Sequence, residues 1–337
     1  MNIKTLLLVC SFCVSSVALY KSMQNEKDLK KQVMTIRLEQ AFMKETTKRE
    51  VANEASLDFK NKIHRIFLKE TVRHYRYLLN QEFDPSKEAP AKFPNKIWVF
   101  WDKGYENAPK FVKACIDSIK RHAGNMEVIV LDNANYSRYV TIPENIKKKY
   151  EDKKITPVQY SDLIRTALIE ENGGLWLDAS TYLTGPIPQV ILDQEFFVPP
   201  AIERKRFFEN IGPNSVHSYF LYASKPHQYF YKIMKNFCYE YWNSNEGAPY
   251  HFWYAFATVA IEEDQKIRSL MYENTKFEKY KADNLFDLQP YLAKQFDEKI
   301  WNKIKKFPIH KISTCAFKNK KLIKNSFIYN IENKIIH

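Results

Sequence analysis

The sequence predicts an α/β protein with a mostly parallel sheet and flanking helices, preceded by an N-terminal membrane anchor and a helical stem. Three observations carry that expectation. Short apolar runs end on tryptophan or aspartate, helical patterns lie between them, and a paired glycine joins one such helix to one such run. At 337 residues, 45% hydrophobic and 15% aromatic, the chain can bury a sizeable core and is neither disordered nor fibrous. Cys10, Cys13, Cys115, Cys238 and Cys315 form no short-spaced pair outside the N-terminal apolar run. That spacing argues against a disulfide framework or a zinc site.

The chain opens with "TLLLVCSFCVSSVALY", Thr5 to Tyr20, 16 uncharged residues between Lys4 and Lys21. This is short of the roughly 20 residues of an ordinary spanning helix. Its place at the N-terminus and its flanking lysines nevertheless fit a signal-anchor over 1–22, and no convincing small-x-small cleavage site follows where Val17, Ala18, Leu19 and Tyr20 close the run. The expectation is a single-pass membrane protein. Lys21, Lys27, Lys30 and Lys31 follow the anchor and Lys4 precedes it, which leans toward a bacterial inner-membrane protein facing the cytoplasm. A Golgi type II enzyme has the same layout with its domain in the lumen.

From 23 to 80 the chain has no glycine or proline, and apolar residues recur at helical spacing, as in Leu29, Val33 and Ile36. This predicts a helical stem. Three prolines then mark a linker over 81–95. The main domain is expected over 96–317 and a basic C-terminal tail over 318–337. Between Lys299 and His337 ten lysines face Glu332 alone, so this end holds most of the formal net charge of +13. A lysine-rich surface explains such an excess without a ligand; contact with an anionic membrane, phosphate or nucleic acid is the alternative.

Within the main domain "KIWVFW", Lys96 to Trp101, suits a buried strand. Pro109 opens a helix carrying Val112, Cys115, Ile116 and Ile119 on one face, and "MEVIVLD", Met126 to Asp132, is a second strand. A helix over Ser161 to Glu171 and a strand "LWLD" ending on Asp178 continue the alternation. In such folds ligands bind beyond the carboxyl ends of the strands. Two aromatic-rich helices follow, around Gln228 to Trp242 and Tyr250 to Glu263.

The stretch "SDLIRTALIEENGGLWLDAS", Ser161 to Ser180, concentrates the chemistry. On the helix, Leu163, Ile164, Ala167 and Leu168 form the apolar stripe, and Asp162 and Arg165 share another edge at i and i+3. For an arbitrary pair the plain explanation is an ion pair on a solvated face. Here Asn172 and Gly173 can end the helix with a left-handed residue, and Gly174 admits the backbone closely into the next strand. That tight turn ties Asp162 and Arg165 to Asp178. With a hydroxyl two residues on at Ser180, the Asp178 carboxylate can hold Mn²⁺ or Mg²⁺ when phosphate oxygens complete the shell.

This block resembles the capsular polysaccharide synthesis and glycosyltransferase sugar-binding region (DXD-motif) proteins, which read S-D-x-x-R, a helix, G-G, an aromatic, then D-x-D or D-A-[ST]. The segments "PNKIWVFWDKGYENAPKFVKACIDSIKRH", "YFLYASKPH" and "HKIS" extend the resemblance over about Phe93 to Phe317. It implies a GT-A glycosyltransferase fold. It also implies that Asp178 binds metal and diphosphate, with Ser180 at the position of a second aspartate. Asp162 and Arg165 would contact the donor sugar or its ribose, with Gly173 and Gly174 between them and the strand. Trp101 would stack on the nucleotide base, and Trp176 fills the aromatic position. His310, Lys311 and Ser313 would reach the diphosphate, and Tyr250, His251 and Trp253 offer faces for an acceptor sugar. Core packing accounts equally well for both tryptophans at 176 and 253.

The expected activity is transfer of a hexosyl-type sugar from a nucleotide-sugar donor to a glycan or lipid-linked glycan acceptor, with retention at the anomeric carbon implied by the resemblance alone. Asp178, Arg165 and Asp162 are the candidate catalytic residues, with no nucleic-acid partner expected. Two alternatives stand beside it: a basic binding module at a membrane, and an inactive relative, for which Ser180 in place of a second carboxylate is the hint.

Overall fold

The computed structural model describes residues 68–69, 71–81, 95–200, 215–245, 247–248, 251–275, 288–314, 317 and 323–336. The expected anchor, most of the stem and nearly all of the linker lie outside them. The chain divides into Met1–Thr71 and Val72–His337. Of the first unit only 68, 69 and 71 are described, and they are helical. Among the described residues no helix is long and apolar enough to cross a membrane.

The second unit is the mixed α/β body. Strand β1 (Lys96–Phe100) leads to helix α1 (Lys110–His122), β2 (Glu127–Leu131), α2 (Glu144–Glu151), α3 (Pro157–Asn172) and β3 (Gly174–Leu177). Then come β4 (Thr181–Leu183), α4 (Gln189–Leu192), β5 (Phe196–Phe197), β6 (Phe220–Ala223), α5 (Tyr229–Ser244), α6 (Phe252–Glu263) and α7 (Gln265–Thr275). Helix α8 (Glu298–Ile304), strand β7 (Ile309–Lys311) and helix α9 (Phe327–Glu332) complete it. Five strands form one sheet in the order β2-β1-β3-β6-β5, and β4 pairs with β7 in a second. β1 runs parallel to β2 and β3, whereas β6 is antiparallel to both β3 and β5, so four of the five strands share a direction.

The core follows the apolar pattern. Ile97 and Val99 on β1 and Val112, Cys115, Ile116 and Ile119 on α1 are fully buried together, each such side chain contributing about 1.5–3 kcal/mol. Cys115 and Cys238 are free, buried thiols. Helix α3 departs from the simple amphipathic picture. Leu163, Ile164, Ala167 and Leu168 are buried, but so are Asp162, Arg165, Thr166 and Glu170, because α3 packs against β3 and β6 on one side and α5 on the other. It also begins four residues before the expected Ser161. Thr156 and Gln159 cap each other reciprocally and Pro157 stands in the first turn, a start signal that lies in "TPVQ" rather than in the apolar spacing.

Two expected boundaries shift. Val72, Tyr75, Leu78 and Leu79, at the end of the expected stem, are buried in the second unit; the Tyr75 hydroxyl accepts a hydrogen bond from Asn245 and its ring packs edge-on against Phe237. At the other end, the segment after Phe317 is more than a basic tail. Phe327, Ile328 and Ile331 are buried in the core, and the Tyr182 hydroxyl donates to the Ile336 carbonyl. The lysine count there concealed a short apolar helical pattern.

The α3–β3 turn rests on the glycine pair, with Gly173 extended in ψ rather than in the left-handed helical conformation expected. Gly173 has φ 65° and ψ −161°, Gly174 has φ 91°, and the Trp98 indole donates to the Gly173 carbonyl at 2.9 Å. A positive φ with extended ψ is essentially reserved for glycine. Gly173→Ala should therefore destabilise the fold by about 1–3 kcal/mol, read as a lower denaturant midpoint at unchanged m-value; an unmoved midpoint would refute the constraint.

Candidate functional site

The register places the site. Trp98 on β1 lies opposite Trp176 on β3, so two residues further on, where the strands end, Phe100 and Asp178 become neighbours and Trp101 and Asp102 follow. A cavity of about 470 Å³ opens there, within the range of small-ligand sites. Its lining includes Trp101, Asp162, Arg165, Asp178, Ser180 and Lys311. The β4–β7 ladder supplies the last of these: Thr181 faces Lys311 in register, and Ile312 N–H donates to the Ser180 carbonyl at 2.9 Å.

Arg165 is the hub. Its Nη1 lies 3.2 Å from Asp162 Oδ1 and donates to the Ser218 carbonyl at 3.1 Å and to the Ser218 hydroxyl. Its Nη2 lies 3.4 Å from Asp178 Oδ1 and donates to the Ser161 hydroxyl at 3.2 Å. The guanidinium sits over the Trp176 ring at 5.3 Å, a cation–π geometry. Trp176 in turn donates its indole N–H to Asp178 Oδ1 at 3.0 Å. Lys311 Nζ completes the set, donating to Asp178 Oδ2 at 2.7 Å and to Ser180 Oγ at 2.6 Å.

The two carboxylates are driven apart. Burial raises Asp162 to about 6, against the pull of Arg165 and with a further push from the Asp178 charge. Burial acts in the same sense on Asp178, but the Arg165 and Lys311 charges and the hydrogen bonds from Lys311 and Trp176 prevail, holding it at about 2. Pairs of carboxyl groups separated in this way are common at functional sites.

The remaining expected residues divide. Trp101 is in the cavity wall, and its indole nitrogen is buried with no hydrogen-bond partner among the described residues. Lys311 and Ser313 line the cavity, but His310 faces the other side of β7, fully buried with Nε2 3.2 Å from the Thr184 hydroxyl. Alternation along a strand puts neighbours on opposite faces, so His310 and Lys311 cannot both reach one ligand. Trp176 is 1% exposed and supports the cluster from beneath. Gly173 and Gly174 stand at the opposite end of β3 and shape the backbone only. Trp253 is a core residue whose indole donates to Thr166 at 2.9 Å; His251 is buried and is not among the lining residues, and Tyr250 lies outside the described residues. Sequence reasoning missed Ser218, whose hydroxyl bonds Tyr254 at 2.9 Å, and Tyr219 and Gln289 in the wall. Tyr219 opens the quoted segment "YFLYASKPH" but no residue-type signal there set it apart as a wall residue, and Ser218 and Gln289 lie outside every quoted motif.

The donor set does not fit a resident divalent cation at Asp178 and Ser180. Lys311 Nζ occupies the position between the two expected ligand atoms, and the other Asp178 oxygen is taken by Trp176 and Arg165. Such an ion needs several oxygen ligands at about 2.0–2.2 Å, and among the described residues no three His, Cys, Asp or Glu side chains group as a metal site.

The family model of the capsular polysaccharide synthesis proteins matches residues 37–331. The chain belongs to this family. Among characterised proteins, "O-glycosyltransferase braB" of Annulohypoxylon truncatum is 30% identical over 103 residues, 28% of this chain and 24% of that protein. The chain thus spans about a quarter of that relative's length. A solved structure, "PaToxG Glycosyltransferase", aligns over 81% of this chain and 98% of its own at 13% identity and a TM-score of 0.38.

Because Asp162 is raised above the ordinary carboxylate value of 3.8, the folded state keeps a proton that the unfolded state has released, and stability from this group falls as pH rises from about 4 to about 6. Asp178 has the opposite sign, losing its contribution only as pH falls from about 4 toward 2. Asp162→Asn should remove the first slope: the wild-type melting temperature should fall relative to the variant's as pH rises through that window. Parallel profiles would refute the burial of an ionisable Asp162.

Proposed function

We propose that this protein is a glycosyltransferase of GT-A type, moving a sugar from a nucleotide-sugar donor to a glycan or lipid-linked glycan acceptor. One observation carries the reading: the indole of Trp101 and the Asp162–Arg165–Asp178–Lys311 cluster share one cavity beyond the ends of parallel strands. An indole can stack on a base, and a cluster of fixed charges can meet a diphosphate where charge develops as the sugar departs. Family membership and the relative's glycosyltransferase name support the same activity.

Each residue then has a task. Trp101 holds the base by stacking. Asp162, on the cavity wall, accepts from donor hydroxyls. Arg165 is 5% exposed and its donors are committed to Ser161, Asp162, Asp178 and Ser218, so it positions both carboxylates and contributes its charge at short range. Asp178 aims Lys311, whose ammonium meets the departing diphosphate. Retention at the anomeric carbon, membrane attachment through residues 1–22 and a location at a bacterial inner or Golgi membrane belong to the same proposal.

Hydrolysis and transfer measured over a panel of nucleotide sugars test it. Trp101→Ala should raise the donor KM about tenfold or more, the equivalent of losing one stacked base at about 1–3 kcal/mol, with a smaller effect on kcat. Asp178→Asn keeps the shape and an acceptor for Trp176, and should lower kcat by about 100-fold, comparable to losing one charge-stabilising contact, while circular dichroism remains native. Inactivity of the wild-type protein across the panel would sink the reading.

A further inference from the structure

Lys311 stands out once the cluster is described. It lies 133 positions after Asp178 in the chain, yet its ammonium touches both atoms that a DXD-type motif would use to hold a metal, Asp178 Oδ2 at 2.7 Å and Ser180 Oγ at 2.6 Å. The placement is built into the backbone. Thr181 pairs with Lys311 and Tyr182 with His310 in the antiparallel β4–β7 ladder, and Ile312 bonds back to Ser180. The buried His310 locks the opposite face of the same strand against Thr184. The lysine side chain is only 17% exposed and passes the Tyr219 ring at 5.7 Å. A side chain so enclosed, on a paired strand, is fixed rather than wandering.

We infer, resting on the transferase reading above, that Lys311 is a built-in replacement for the divalent cation, so that donor binding and sugar transfer proceed without Mn²⁺ or Mg²⁺. An ammonium has three donors. Two are committed to Asp178 and Ser180, which leaves one for a diphosphate oxygen. The replacement of a second motif carboxylate by Ser180 follows from the same chemistry: a hydroxyl accepts a hydrogen bond from an ammonium, whereas a second carboxylate would strengthen a site for a divalent ion. In the transfer step the bond between the anomeric carbon and the diphosphate oxygen breaks, its electron pair staying on that oxygen. The acceptor hydroxyl oxygen forms the new bond to carbon, and its proton passes to the released diphosphate. Lys311 donates to the diphosphate as its charge grows. No redox partner enters, and atoms and charge balance between donor, acceptor and products.

The test uses the full chain stripped with EDTA, titrated with UDP and GDP by calorimetry and assayed on the nucleotide-sugar panel with and without added Mn²⁺. Metal-free wild type should bind at least one of these diphosphates with an affinity that Mn²⁺ changes by less than about twofold, and turnover should likewise survive EDTA. Lys311→Met should weaken binding about tenfold and lower kcat about 100-fold or more, the range for removal of one preorganised donor. Lys311→Arg should keep most of the binding, and melting curves should show both variants folded. Added Mn²⁺ should restore part of the Lys311→Met activity, since removing the ammonium frees Asp178 Oδ2 and Ser180 Oγ; a merely structural lysine would give no such rescue. Wild-type binding or turnover that requires Mn²⁺, or a Lys311→Met variant with wild-type affinity, overturns the inference. Metal-free diphosphate binding through Lys311 with no transfer on any donor would instead overturn the transferase reading and leave the role of Lys311 standing.

Discussion

A buried guanidinium organises this molecule. Arg165 is enclosed between α3, β3 and the loop leading into β6, and Asp162 and Asp178 both reach it to balance its charge. Burying an ion without partners costs several kcal/mol, and removing one partner of a buried pair typically costs 3–5 kcal/mol. The fold therefore has to hold Asp178 at the end of β3 and the Ser218 carbonyl beside β6 at the same time. Strand order β1-β3-β6 and the tight turn between α3 and β3 are the features that do so.

From that constraint the rest of the site follows outward. Asp178, held by Arg165 and Trp176 on one oxygen, presents the other to Lys311. Lys311 is placed by a small separate sheet whose two strands are distant in the chain. Asp162, on the more buried side of the guanidinium, is left with its proton affinity raised. Two carboxylates around one arginine thus acquire different character through burial and the number of cations each meets. Around them stand walls from the end of β1, α3, the loop leading into β6 and the segment after β7, so the cavity belongs to the junction of these elements rather than to any one of them.

Much of the local architecture could be read directly. The strands at Lys96 and Met126 and the helix from Pro109 were visible as apolar runs and spacing, because such buried strands and amphipathic helices leave a local pattern. The block from Ser161 to Ser180 held three of the four charged site residues, because one helix, one turn and one strand end bring them together within twenty positions. The start of α3 precedes its apolar spacing because its signal is a capping box, not periodicity. The end of the stem and the C-terminal helix read as spacer and tail because charges dominate their composition, while Tyr75, Phe327 and Ile331 find burial against elements far away in the chain.

By itself, then, the sequence determined the α3–β3 unit: the glycine pair that permits its turn, the helix face shared by Asp162 and Arg165, and the aspartate at its strand end. Those are consequences of backbone geometry within one short segment. Only the tertiary structure decided what these groups face. It sent Trp176, Trp253 and His310 into support or core, kept Gly173 and Gly174 away from the cavity, and set an ammonium where the motif led one to expect a metal ion. The reason is physical: a side chain's partners at a sequence separation of 133 are chosen by sheet pairing and strand alternation, which a local pattern of residue types does not encode.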